Sequence, residues 1–185
     1  MSMCQPIALM HRALCRVRLP LWLAVMLCLK ACAPAFNWRE IPINPPGITV
    51  LMPDKPSEMT RKLPLGEHQM TMHMTGARVD ERMFTVTVGD VEGSGGLSAS
   101  LALERMEQAM MRNIQGKPLS RETGEWVPGV TVVRLKAQGE AQGSAIIMWA
   151  WFFQRGQHVV QAVVMGKPAD EEHALTFLQS LKLRP

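Results

Sequence analysis

Apolar and polar residues follow one another along this chain in patterns that predict strands over most of its length. The longest apolar stretch, residues 144–154, is separated by Arg155-Gly156-Gln157 from a second one, residues 158–165. Both are rich in β-branched and aromatic residues, and the short glycine-containing gap predicts a long antiparallel hairpin. Alternation puts Ile147, Trp149, Trp151 and Phe153 on one side and Ile146, Met148, Ala150 and Phe152 on the other. With both sides apolar, the hairpin belongs inside a sheet that is covered on both faces.

The remaining elements are shorter. Residues 48–53 read as a strand ended by Pro53, and residues 59–65 as an irregular edge strand with Pro64 near its end. Period-two alternation marks 68–75 and 83–88, joined by a hairpin through 76–82. Residues 89–96, containing Gly93-Ser94-Gly95-Gly96, connect to a helix over 98–115. Ser98 or Ser100 caps that helix, Ala102, Met106, Ala109, Met110 and Ile114 form its buried stripe, and Gly116 ends it. Strands follow at 119–122 and 130–137, around 123–129, and 138–143 reads as a turn into the central hairpin. A final helix spans 170–181, with Asp170, Glu171 and Glu172 favouring its dipole and Ala174, Phe177, Leu178 and Leu181 turned inward. Residues 36–46, aromatic at first and then proline-rich, read as a tether or an edge segment. Strands, helix, strands, helix, with mostly hairpin connections, make the fold class α+β with an antiparallel sheet.

Charge changes the picture only in its distribution. The formal net charge of +4 rests on Arg12, Arg16, Arg18 and Lys30, all ahead of Cys32, where there is no acid. The other sixteen basic residues are matched by sixteen acids. A neutral body carries no electrostatic case for a nucleic-acid partner. The cysteines divide the same way: Cys4, Cys15, Cys28 and Cys32 all precede the predicted domain, which has no disulfide to form.

The leader is basic up to Pro20 and apolar over 19–29. That run is too short to span a bilayer, which takes about 20 residues, and matches the apolar region of a secretory signal. Leu29-Lys30-Ala31-Cys32 resembles the lipobox of bacterial lipoproteins, although Lys30 stands where a small or apolar residue is usual. Ala33-Pro34-Ala35 offers an ordinary signal-peptidase site as the alternative. Cys32 is favoured as the lipid-attachment residue because it lies where the apolar run ends. The division is then a signal peptide at 1–31, a tether at 32–46 and an α+β domain at 47–185, exported to the periplasm. Ala33 after the cysteine implies outer-membrane sorting, by the same resemblance.

Candidate chemistry is sparse. His68, Met70, Met72 and Met74 share a strand face and offer soft ligands of the kind Cu(I) takes, but His73 points to the other face, and methionine is also a filler of irregular cores. Gly93-Ser94-Gly95-Gly96 lacks the Lys-Ser/Thr ending of a phosphate-binding loop and reads as a connector. There is no G-x-S-x-G, no H-E-x-x-H and no cysteine after Cys32. Asp170, Glu171, Glu172 and His173 are explained by the first turn of a helix, and Trp149 and Trp151 by a core rather than a ligand cleft. No catalytic residue, metal ligand or cofactor is expected.

Ile48-Thr49-Val50-Leu51-Met52-Pro53-Asp54-Lys55-Pro56, then a hairpin and a glycine-terminated helix, then the long apolar hairpin and the ending Phe177-Leu178-Gln179-Ser180-Leu181-Lys182-Leu183 form a familiar order. Over 47–183 it resembles the small exported bacterial domains related to the photosystem II extrinsic protein PsbP. The resemblance implies a central antiparallel sheet with helices packed on its faces. Those relatives are accessory or uncharacterised proteins with no shared catalytic site, so it carries over no functional residues. The expected function is that of a non-catalytic envelope accessory or binding protein, a lipoprotein anchored in the membrane with an envelope protein as partner. The alternatives are a hydrolase or other enzyme with a dispersed site, and a periplasmic copper-handling protein that uses the Met-rich strand.

Overall fold

The computed structural model describes residues 35–184; the leader and Cys32 lie outside the described residues. The strands are β1 (Arg39–Ile43), β2 (Ile48–Met52), β3 (Ser57–Leu65), β4 (His68–Val79), β5 (Arg82–Asp90), β6 (Lys117–Val127), β7 (Val130–Ala141), β8 (Ser144–Arg155), β9 (His158–Gly166) and β10 (Lys182–Leu183). The helices are α1 (Ala99–Asn113), between β5 and β6, and α2 (Glu171–Gln179), between β9 and β10. Seven strands pair antiparallel in the order β3-β4-β5-β9-β8-β7-β6, and β1-β2-β10 form a second, three-stranded sheet.

The central hairpin is β8 and β9, paired without interruption from Ile147↔Gly166 to Arg155↔His158. It occupies the middle of the large sheet, and both of its sides are buried. One side packs Met148, Ala150, Phe152, Val159 and Val163 under Ala102 and Met106 of α1. The other packs Trp149, Trp151, Phe153, Val160 and Val164 under β2 and under Ala174, Phe177 and Leu178 of α2. Fully burying a side chain such as Phe152 or Phe153 contributes about 1.5–3 kcal/mol, and the hairpin buries several on each of its sides.

The expectation of helices on both faces needs correction on one of them. Only α1 covers its face alone; the opposite face is covered by α2 together with the small sheet. The small sheet exists because residues 36–46, read as a tether or an edge segment, are built as the edge strand of the compact unit, which begins at Phe36. Ile41 and Ile43 of β1 pack on that core, and β1 pairs with β2 from Arg39↔Met52 to Ile43↔Ile48. At the C-terminal end of α2, Ser180 Oγ accepts the Leu51 N–H at 2.8 Å and donates to the Phe177 carbonyl at 2.6 Å, tying helix to strand.

Three predicted turns are strand in part, among them 138–143, which is strand through Ala141 so that only Gln142-Gly143 turns. The turn placed at 76–82 shrinks to Asp80-Glu81, and Gly76 lies within β4. Glycine is needed there for closeness rather than for turning, since a Cβ would stand 2.7 Å from Thr85 Cγ2 and 2.9 Å from the Phe84 carbonyl. Likewise 123–129 is strand through Val127, and only Pro128-Gly129 turns, Gly129 at φ +78. The first helix keeps its Ser98 cap, whose hydroxyl accepts the Leu101 N–H at 3.3 Å. In its stripe Ala102, Met106 and Ile114 are buried while Ala109 and Met110 are half-buried.

Strand directions give the molecule two ends. The β4–β5 turn, the β7–β8 turn, the start of β6 and the end of β9 share one end. At the other, the Arg155 guanidinium donates to the carbonyls of Gly47 and Arg184, fixing the C-terminal residues.

Candidate functional site

The most densely organised surface is where the N-terminal segment joins the first of these ends. The Phe36 ring stacks on His173 of α2 (4.0 Å between centroids, 9° between planes) and on Trp38 (5.5 Å, 15°). Both Phe36 and Trp38 meet Phe84 of β5 edge-on, at 6.2 and 5.9 Å, and Phe84 meets Phe177 at 5.6 Å. Such contacts add about 0.5–1.5 kcal/mol each beyond burial. The Asn37 N–H donates to the Pro53 carbonyl at 2.7 Å. Residues 36–38 are therefore held by aromatic packing and by the backbone.

An ion pair braces this aromatic stack. Arg82 lies with its guanidinium 5.3 Å from the Phe36 centroid and donates through Nε to Asp170 Oδ1 at 2.5 Å. The other carboxylate oxygen accepts the Lys167 N–H at 2.6 Å, closing the 3₁₀ turn Pro168–Asp170 that precedes α2. Asp170 is only 4% exposed. Burial pushes its carboxyl up, but the Arg82 bond, the Lys167 N–H and the Arg82 charge together outweigh burial and hold it below the usual carboxylate range. Gly166 leaves room for this, since a Cβ there would stand 2.7 Å from Asp170 Oδ2. Nearby, Lys167 and Glu81 make an exposed pair that contributes little.

Two adjoining clefts open on the same end. One, of about 440 Å³, has an apolar floor of Met83, Ile146 and Met165 with Arg78, Glu81 and Lys167 at its rim. The other, about 390 Å³, shares Ile146 and runs past Lys117 and Glu140. A third, about 570 Å³, lies at the opposite end between α1 and β7–β8 over Leu103, Val133 and Phe152. Arg121 of β6 reaches Glu107 of α1 beside it, through two bonds of 2.8 and 3.1 Å. These volumes suit small molecules, but no histidine lines any of the three.

Of the residues weighed from the sequence, Met70 and Met72 are fully buried, and a Cβ on Gly89 would run into the Met70 sulfur and stand 3.0 Å from that of Met72. The thioethers fill the space a side chain at Gly89 would take. His68 Nδ1 meets the Ser94 carbonyl at 3.2 Å and His73 Nδ1 meets Thr60 Oγ1 at 2.9 Å, on opposite faces of β4. Ser94 sits in a 3₁₀ turn, Glu92–Ser94, and its hydroxyl donates to the Val91 carbonyl at 2.5 Å. Its hydroxyl and the His68 ring are thus engaged separately. Trp149 and Trp151 are core residues covered from the adjacent strand by Lys136 and Arg134, whose charged groups lie 5.7 and 5.1 Å from the rings. Trp126 packs on Trp151 and Phe153.

Sequence reasoning missed the Asp170–Arg82 pair and the role of His173. Asp170 and His173 read in the sequence as features of a helix start, and their partners stand 88 residues away and at the N-terminal edge. An Asp preceded by Pro168-Ala169 just before a helix was the available signal. Cys32 lies outside the described residues.

No family model matches this chain, and no curated protein does. Among solved structures it is similar to the solution structure of cyanobacterial PsbP (CyanoP) from Synechocystis sp. PCC 6803, with a TM-score of 0.55 and 9% identity over 83% of this chain and 96% of that one. The fold is thus PsbP-like. A protein of unknown function from Pseudomonas aeruginosa, PA94, aligns with a TM-score of 0.43 and 18% identity, over 80% of this chain and 99% of that one.

Proposed function

We propose that the chain is an exported, non-catalytic binding or assembly accessory of the bacterial envelope, anchored by lipid on Cys32 in the outer membrane and working with an envelope protein partner. Processing removes residues 1–31. The observation that carries this reading is the fixing of Phe36 and Trp38 against Phe84, His173 and Arg82 immediately after the lipobox-like stretch. Cys32 precedes Phe36 by four residues, a reach of about 14 Å when extended. A lipid there holds the end bearing the β4–β5 and β7–β8 turns close to the bilayer and leaves the sheet edges open to a partner. Fractionation of the host envelope tests the reading: the processed chain is expected in the outer-membrane fraction. Recovery of the intact, unprocessed polypeptide from the soluble cytosol overturns it.

A further inference from the structure

We propose that β3 is a docking edge which takes an acidic, extended segment of a partner protein as an eighth strand of the large sheet. This rests on the reading of the chain as a binding accessory and names the chemistry of its partner.

Among the described residues the large sheet has two edges with no neighbouring strand, β3 and β6, and they are built differently. β6 is broken by register shifts between Pro118 and Ser120 and between Glu125 and Val127. Such bulges twist an edge and interrupt the row of free backbone groups, a common protection against unwanted pairing. β3 has none: it pairs with β4 at nine successive positions, from Ser57↔Gly76 to Leu65↔His68. Every residue of it except Leu65 is exposed. An unbulged edge is the kind to which a further strand adds through main-chain hydrogen bonds, and here only Pro64, near its end, has no N–H to offer.

The side chains on β3 select what can add. Met59 is 47% and Leu63 37% exposed, two of the four large apolar residues most exposed among the described residues. They flank Arg61 on one face, and Lys62 lies on the other. Arg105 of α1 stands near the end of the strand, its Cζ 3.9 Å from where a Gly66 Cβ would be. Among the described residues none of these three cations belongs to an ion pair. Antiparallel self-pairing centred between Arg61 and Lys62 would set each of these cations opposite the other in the second copy, cation against cation. A complementary strand, antiparallel to β3, carries an apolar residue opposite Leu63, acids opposite Lys62 and Arg61, and an apolar residue opposite Met59. Leu-Glu-Glu-Thr-Leu is such a segment.

Titration of the full chain with a nine-residue peptide centred on Leu-Glu-Glu-Thr-Leu, read by hydrogen exchange, tests the proposal on purified protein. It is independent of export and lipidation, so its failure is distinct from failure of the functional reading. The expected result is slowed exchange confined to β3, no effect from the peptide with Lys in place of both Glu, and about tenfold or greater weakening in Arg61→Glu/Lys62→Glu, which is exposed and leaves the fold intact. No protection, protection of β6, equal effects of the two peptides, or peptide-independent dimerisation through β3 each overturns it.

Discussion

Asp170→Ala is expected to lower the stability of the domain by about 3 kcal/mol at neutral pH, the low end of the cost of breaking a buried ion pair. The low end applies because Arg82 is partly exposed and keeps Asp80 at 3.2 Å. For a domain of this size that is a fall in Tm of about 6–12 °C. The loss also has a pH signature. The folded carboxyl lies below its unfolded value, so its contribution is complete above the unfolded pKa of about 3.9 and disappears as pH falls through the lower folded value. Urea denaturation of wild type and variant between pH 7 and pH 2.5 should show curves that draw together in acid. A difference of the same size at every pH would show that the carboxylate charge is not what matters. Loss of the brace on Arg82 also loosens the Phe36 stack, so the variant should bind the N-terminal aromatic residues less firmly, visible as a change in tryptophan fluorescence.

Gly139→Ala is expected to cost about 3 kcal/mol for a different reason. Gly139 lies in β7 where the end of α1 presses against the sheet, and a Cβ there would run into the Ile114 carbonyl oxygen and stand 2.9 Å from Ile114 Cγ1. That carbonyl accepts the Glu140 N–H at 2.8 Å, so backbone would have to move against backbone and a buried hydrogen bond would stretch. Gly124→Ala is the control, because its nearest neighbour is Arg134 Nη1 at 3.7 Å, the end of a flexible side chain. Thermal denaturation should place Gly124→Ala within about 1 kcal/mol of wild type. Similar losses in both would mean that α1 does not press on β7 as described.

Glycines mark part of what was legible in the sequence and part of what was not. The β8–β9 hairpin could be read because apolar residues on both faces leave no other placement, and it stands at the centre of the sheet. The inward residues of α2 followed from helical spacing alone: Ala174, Phe177, Leu178 and Leu181 are all buried. Gly76 misled, since a glycine that permits close approach of two strands looks in sequence like one that permits a turn. Gly124 and its neighbours misled in the same way, extending β6 where a loop was expected. On the other face, the small sheet went unseen because β1 and β10 have five and two residues and gain their order from packing rather than from periodicity. At the candidate site Phe36 was legible as an aromatic anchor. Its partners were not, because Arg82 and His173 reach it through the tertiary fold, and no local pattern encodes that.

The proposed function turns on lipid at the Cys32 thiol, which would set the orientation of the domain at the membrane. Metabolic labelling with a fatty acid, in wild type and in Cys32→Ala expressed in the native host, tests it most directly. Label in the wild-type chain and none in the variant is the expected result; a wild-type chain that is exported and cleaved but takes up no label contradicts it.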